Sequence, residues 1–146
     1  MYKRIILAYD GSASGQQALL EIKELAHWNE SRLTLVAVIP SLAMEVSPVE
    51  MGYFVSSSAA SIEATLKDQL KKGVEMLRSM GFEAEGEILK GEVIREITSY
   101  ASMASADLIV VGHKHERNLL RRWWSGSTAK SLVEESPCNV LIVVQR

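Results

Sequence analysis

"ADLIVVGHKHERNLLRRWWSGSTAKSLVEESPCNVLIVV" runs from Ala106 to Val144. Near its start, Leu108–Val111 is an unbroken apolar run, the pattern of a strand buried on both faces. Its end, "CNVLIVVQ" with the following Gln145, is a second such strand. Between them "STAKSLVEES" (Ser127–Ser136) reads as a helix. Strand, helix and strand in that order make a crossover unit, and crossovers join parallel strands.

The same alternation extends back to the N-terminus. "RIILAY" (Arg4–Tyr9) is a buried strand closed by "DGS". "SGQQALLEIKELAHW" has Ala18, Leu19, Ile22, Leu25 and Ala26 at helical spacing, with Ser12 or Ser14 as N-cap. "RLTLVAVI" (Arg32–Ile39) is a second strand, stopped by Pro40. Residues Pro40–Ser58 show no clear period and read as a long surface excursion. Ala59–Gly81 is an amphipathic helix with Ile62, Leu66, Leu70, Val74 and Leu77 as its stripe, ended by Gly81. "FEAEGEIL" (Phe82–Leu89) alternates and is a more exposed strand. "GEVIREITSYASMA" is a helix with Val93, Ile94, Ile97 and Tyr100 inward. The expectation is an α/β fold: one open parallel sheet with helices on both faces. With 146 residues, no repeats and no boundary, residues 1–146 read as a single domain.

Composition narrows the function classes. Sixteen basic against eighteen acidic residues give a net charge of −2, which argues against a protein that lives on nucleic acid. The lone cysteine, Cys138, excludes an intramolecular disulfide and fits a reducing compartment. No apolar run has the length of a membrane span, and "MYKRIILAYDGS" is too short in its apolar part for a signal peptide. A soluble, cytoplasmic protein is expected, with no membrane or nucleic-acid partner.

In open parallel sheets, ligands bind beyond the carboxyl ends of the strands, where strand order reverses. Gly112 follows the fourth strand directly and lets a ligand approach the backbone. Gly126, Ser127 and Thr128 open the next helix, where free N–H groups, hydroxyls and the helix dipole suit a phosphate; Ser127 as a plain cap fits equally well. Asp10 closes the first strand and can accept hydrogen bonds from ribose hydroxyls or cap the first turn. A phosphate-accepting aspartate would want neighbouring carboxylates, and "AYDGSAS" has none. Neither G-x-x-x-x-G-K-[ST] nor G-x-G-x-x-G occurs.

These two ends together resemble the universal stress protein domain, over essentially the whole chain. "RIILAYDGS" is similar to that family's first strand and aspartate. "ADLIVVGHKH…SGSTAKSLVEESPCNVLIVV" is similar to its signature: G-x-x-G, nine residues, then G-[ST]. The resemblance implies a Rossmann-like, adenine nucleotide alpha hydrolase-like sheet of five parallel strands in the order 3-2-1-4-5. It implies AMP or ATP in the crevice between strands one and four, with magnesium as an optional counter-ion. By it, Asp10 holds ribose, Val38 frames adenine, Ala8, Val111 and Gly112 line the pocket, and Gly126, Ser127 and Thr128 meet phosphate. It also implies a homodimer through the last strand, Asn139–Val144, whose flat apolar edge would otherwise be a pairing hazard.

The chain departs from the signature at His115, which stands where the second glycine belongs, and ten residues separate it from Gly126. An imidazole there either blocks a terminal phosphate or hydrogen-bonds one. AMP-like binding is therefore favoured over a tight triphosphate site.

Three other readings compete. His113, His115 and Glu116 form too sparse a set for a structural zinc site. "RRWW" with Arg117, Arg121 and Arg122 pairs charge with rings, against the chain's overall acidity. No nucleophile–base set supports an enzyme, so binding and sensing are expected, with at most slow incidental ATP hydrolysis; His27 reads as a helix-end surface residue and Cys138 as inert. The alternative within the same family is a nucleotide-free dimeric interaction protein.

Overall fold

In the computed structural model the described residues are 2–9, 15, 30–40, 59–113 and 126–144, with backbone alone at 40, 59–62, 113, 126–129 and 144. They form β1 (Arg4–Ala8), β2 (Arg32–Pro40), α1 (Ala59–Ser79), β3 (Glu83–Gly91), α2 (Val93–Met103), β4 (Leu108–His113), α3 (Gly126–Glu135) and β5 (Asn139–Val144). The expected first helix, with its Ser12 or Ser14 cap, falls outside the described residues. So does all of the Pro40–Ser58 excursion except Pro40 itself.

The five strands make one parallel sheet in the order β3-β2-β1-β4-β5, as the family resemblance implied. Consecutive side chains of each central strand go to opposite faces, and both faces are apolar. Ile5, Leu7, Leu33, Leu35 and Val110 pack on one face with Leu70, Val74 and Leu77 of α1. Ile6, Ala8, Val36, Val38, Ile109 and Val111 pack on the other with Ile94, Ile97 and Ala101 of α2 and Leu132 of α3. Unbroken apolar runs are what two such cores require of one strand.

Local chemistry sets the ends of the elements. Helix α1 stops where Gly81 takes φ +91 and Phe82 N–H donates to the Leu77 carbonyl at 3.1 Å. Helix α2 begins two residues later than the sequence suggests, because Gly91 is still paired in β3 and Glu92 is the cap. The Glu92 carboxylate accepts from Ile94 N–H at 3.2 Å and from Arg95 N–H at 2.8 Å. Of the residues expected inward on α2, Ile94 and Ile97 are buried while Val93 and Tyr100 are only half-buried. At the amino end of the sheet, Asp107 accepts from the backbone N–H groups of Lys3 and Arg4 and ties β4 to β1.

Pro40 does not stop β2 from outside; it is the strand's last residue, paired with Gly91. The reason lies in the alternation of backbone groups. Tyr9 N–H donates to the Val36 carbonyl at 2.8 Å, so Val36 turns its backbone groups toward β1. Val38 and Pro40 share that parity. The N–H that proline lacks would have pointed past the end of β1, where no ladder bond is lost.

Candidate functional site

The three central strands end at different heights. Ala8, the last residue of β1, lies level with Val36 of β2 and Val111 of β4. Strand β2 continues through Ala37, Val38, Ile39 and Pro40, and β4 through Gly112 and His113. At about 3.3 Å per residue, β2 stands roughly 13 Å and β4 roughly 7 Å above the end of β1. The carboxyl end of β1 therefore lies between two strands that run past it, at the point where strand order reverses and a ligand crevice is expected.

The floor and walls of that crevice present backbone. Ala8, Val38 and Val111 are buried in the α2–α3 core, Val38 completely, so their side chains are used in packing. What Val38 offers the crevice is its N–H and carbonyl, which by parity with Val36 face the space above β1. Gly112 is half-buried at the top of β4, paired with Val143 of β5. Asp10 follows buried Tyr9 in sequence; Asp10 and His115 lie outside the described residues, as do the glutamate, arginines and tryptophans of the loop and His27.

Two helices begin at this end of the sheet, and their charge differs. The N-terminus of α2 is taken by Glu92, and Glu96 adds a second carboxylate in its first turn. Helix α3, starting at Gly126, has no acidic residue in its first turn. Anions are stabilised at a helix N-terminus by the dipole and free N–H groups, and a carboxylate already there removes both advantages. Of these two helix starts, that of α2 thus carries carboxylates and that of α3 carries none in its first turn. Ser127 and Thr128 lie in that first turn of α3.

Among the described residues no group of three or more His, Cys, Asp or Glu is placed to hold a metal. Burial pushes the Cys138 thiol up from its ordinary value, against the opposing effect of its hydrogen bond with Ser136, so its thiolate is disfavoured. Among the described residues no helix is long and apolar enough to cross a membrane. Sequence reasoning missed the self-capped α2, which sets the two helix starts apart. The signal was Glu92 immediately before the apolar period, but glutamate is an uncommon cap.

The profile of the universal stress protein family matches residues 1–144. The chain belongs to the universal stress protein family. It is 29% identical to universal stress protein MJ0531 of Methanocaldococcus jannaschii, over 98% of this chain and 82% of that protein. It is 30% identical to a putative universal stress protein of Staphylococcus saprophyticus, over 97% of this chain and 83% of the relative. Among solved structures, universal stress protein UspA from Lactobacillus plantarum superposes with a TM-score of 0.75 at 24% identity, covering 97% of both chains. An Arabidopsis thaliana member with AMP bound gives 0.67 at 17% identity, over 99% of this chain and 92% of that one. A member from Archaeoglobus fulgidus in complex with dAMP gives 0.67 at 21% identity, over 97% and 98%. These structural likenesses establish the fold.

Proposed function

We propose that this universal stress protein binds an adenine nucleotide in the crevice between β1 and β4, and that binding rather than catalysis is its activity. The observation that carries the reading is the early end of β1 beneath taller β2 and β4, with an acid-free helix start on one side only. The AMP and dAMP complexes of family members with this fold support it.

The asymmetry orients the ligand. The base lies toward β2, where Val38 presents paired donor and acceptor groups of its backbone. The phosphate lies toward α3, against Gly126, Ser127 and Thr128, with Gly112 allowing close approach. Ala8 and Val111 form the floor, and Asp10 accepts from the ribose hydroxyls. His115 stands in the signature where a glycine is usual, so AMP is preferred to ATP, with or without magnesium. The protein works as one cytoplasmic domain over residues 1–146, sensing energy state or stress.

The dimer belongs to the same reading. The two sheet edges differ in composition: β3 is "EAEGEILKG" and β5 is "NVLIVV". Like charges brought opposite one another oppose the pairing of an edge with a second copy of itself, and β5 has no charged residue. A two-fold pairing of Asn139–Val144 with the same strand of a second copy covers it.

His115 favours one second reading, a nucleotide-free protein that acts through its surfaces. Thermal unfolding with saturating AMP separates the two. A ligand at 100 times its Kd adds about 2.7 kcal/mol, a rise of several degrees for a chain of this size. An unchanged Tm with AMP, ADP and ATP would favour the second reading.

A further inference from the structure

The opposite end of the sheet from β5 carries a feature that nucleotide binding leaves unused. Strand β3 pairs with β2 along all nine of its residues, and its outer side meets no other strand among the described residues. Its two faces differ sharply. Ala84 and Ile88 face α1 and its core, while Glu83, Glu85 and Glu87 share the other face and are exposed. Beside the edge, on the α1 face, runs a groove of about 610 Å³ with Leu70, Val74 and Ile88 among its lining. Gly86 also lines it, lying close against Leu70 and Val74.

We propose that the outer edge of β3 takes up an extended segment of a partner protein as a sixth strand, and that this segment alternates basic with apolar residues. A strand added to an edge gains main-chain hydrogen bonds, and its side chains go alternately to the two faces. One set enters the groove over Leu70, Val74 and Ile88. The other set lies beside Glu85 and Glu87, where opposite charges on neighbouring strands are stabilising. The groove's own cations do not call for an acidic partner instead. Lys67 and Lys90 are both held by Glu63, at 2.9 and 2.8 Å, Lys71 lies 4.0 Å from Glu75, and Arg78 Nε donates to the Ala84 carbonyl at 2.8 Å. The acidic face acts on its surroundings already: the Tyr100 hydroxyl is pushed up by burial and then by Glu87 and Glu85. A second copy of this chain is the wrong occupant. Two β3 strands paired about Glu85 would set glutamate against glutamate.

The test uses the full chain and a labelled peptide of alternating lysine and valine. A peptide of the same composition, with lysines and valines in two blocks, controls for bulk charge, and an alternating glutamate–valine peptide provides the swap. Binding is followed by fluorescence anisotropy, and β3 amide protection by hydrogen exchange. The expected result is at least tenfold tighter binding of the alternating lysine peptide than of the block peptide, with added protection in Glu83–Gly91. Glu85→Lys with Glu87→Lys should lose at least tenfold for that peptide and gain the glutamate peptide. The melting curve of the double variant shows that it is folded. No binding, equal binding of both lysine peptides, unchanged binding by the double variant, or protection outside β3 would each overturn the proposal.

Discussion

Gly86 shows how one residue sets the spacing between two layers. A Cβ there would lie 3.0 Å from Leu70 Cγ and 3.1 Å from Val74 Cγ2, both on α1. Overpacking of this kind costs about 1–3 kcal/mol. Replacing glycine in a strand returns about 0.5–1 kcal/mol. Gly86→Ala should therefore destabilise the chain by about 1 kcal/mol, read as a lower urea midpoint with an unchanged slope. The sequence places Gly86 only within an alternating strand, because its contact with α1 joins residues far apart in the chain. The converse holds for Leu70, Val74 and Leu77: their spacing announced burial, and they are buried. Taken locally, the missing N–H of Pro40 predicts a strand stop. That β2 tolerates it depends on β1 ending early, which is a property of the sheet.

At the scale of elements, α1 is held to β3 by a charge bridge as well as by its apolar stripe. Glu63 accepts from Lys67 one turn on and from Lys90 on β3. Lys90 and Lys67 together draw its carboxyl from an ordinary 4.5 down to about 2. A lowered carboxylate pKa stabilises the folded state above the ordinary value and loses that effect as pH falls toward the folded value. Wild type should thus melt above Glu63→Gln near neutral pH. The gap should narrow between pH 4.5 and about 2. A gap that stays constant across that range would mean the bridge is not what the substitution removes. Helical periods and buried strands made α1, α2 and every strand legible in the sequence. The Glu63–Lys90 bridge was not, since charges 27 residues apart carry no register until the strand is docked.

For the whole molecule, strand order decides where function can lie. Placing β1 at the centre puts its carboxyl end between two taller neighbours and leaves β3 and β5 as edges. Alternation of strands and helices gave the parallel sheet; the order came from the family resemblance, because crossover lengths alone do not fix it. Three of the nine candidate site residues, Ala8, Val38 and Val111, lie in one buried layer on the α2–α3 face. Apolar β5 predicts self-association: sedimentation equilibrium should give twice the 16.2 kDa chain mass. A single-chain mass at all concentrations would place the dimer surface out of consideration.

The most direct measurement is a calorimetric titration of the protein with AMP and with ATP, with and without magnesium, beside Asp10→Ala and His115→Gly. Saturable AMP binding is expected, weakened at least tenfold in Asp10→Ala, since a hydrogen bond to a charged group contributes about 1.5–3 kcal/mol. His115→Gly should bind ATP more tightly than wild type does. Absence of saturable binding by the wild type with either nucleotide would contradict a ligand site over β1.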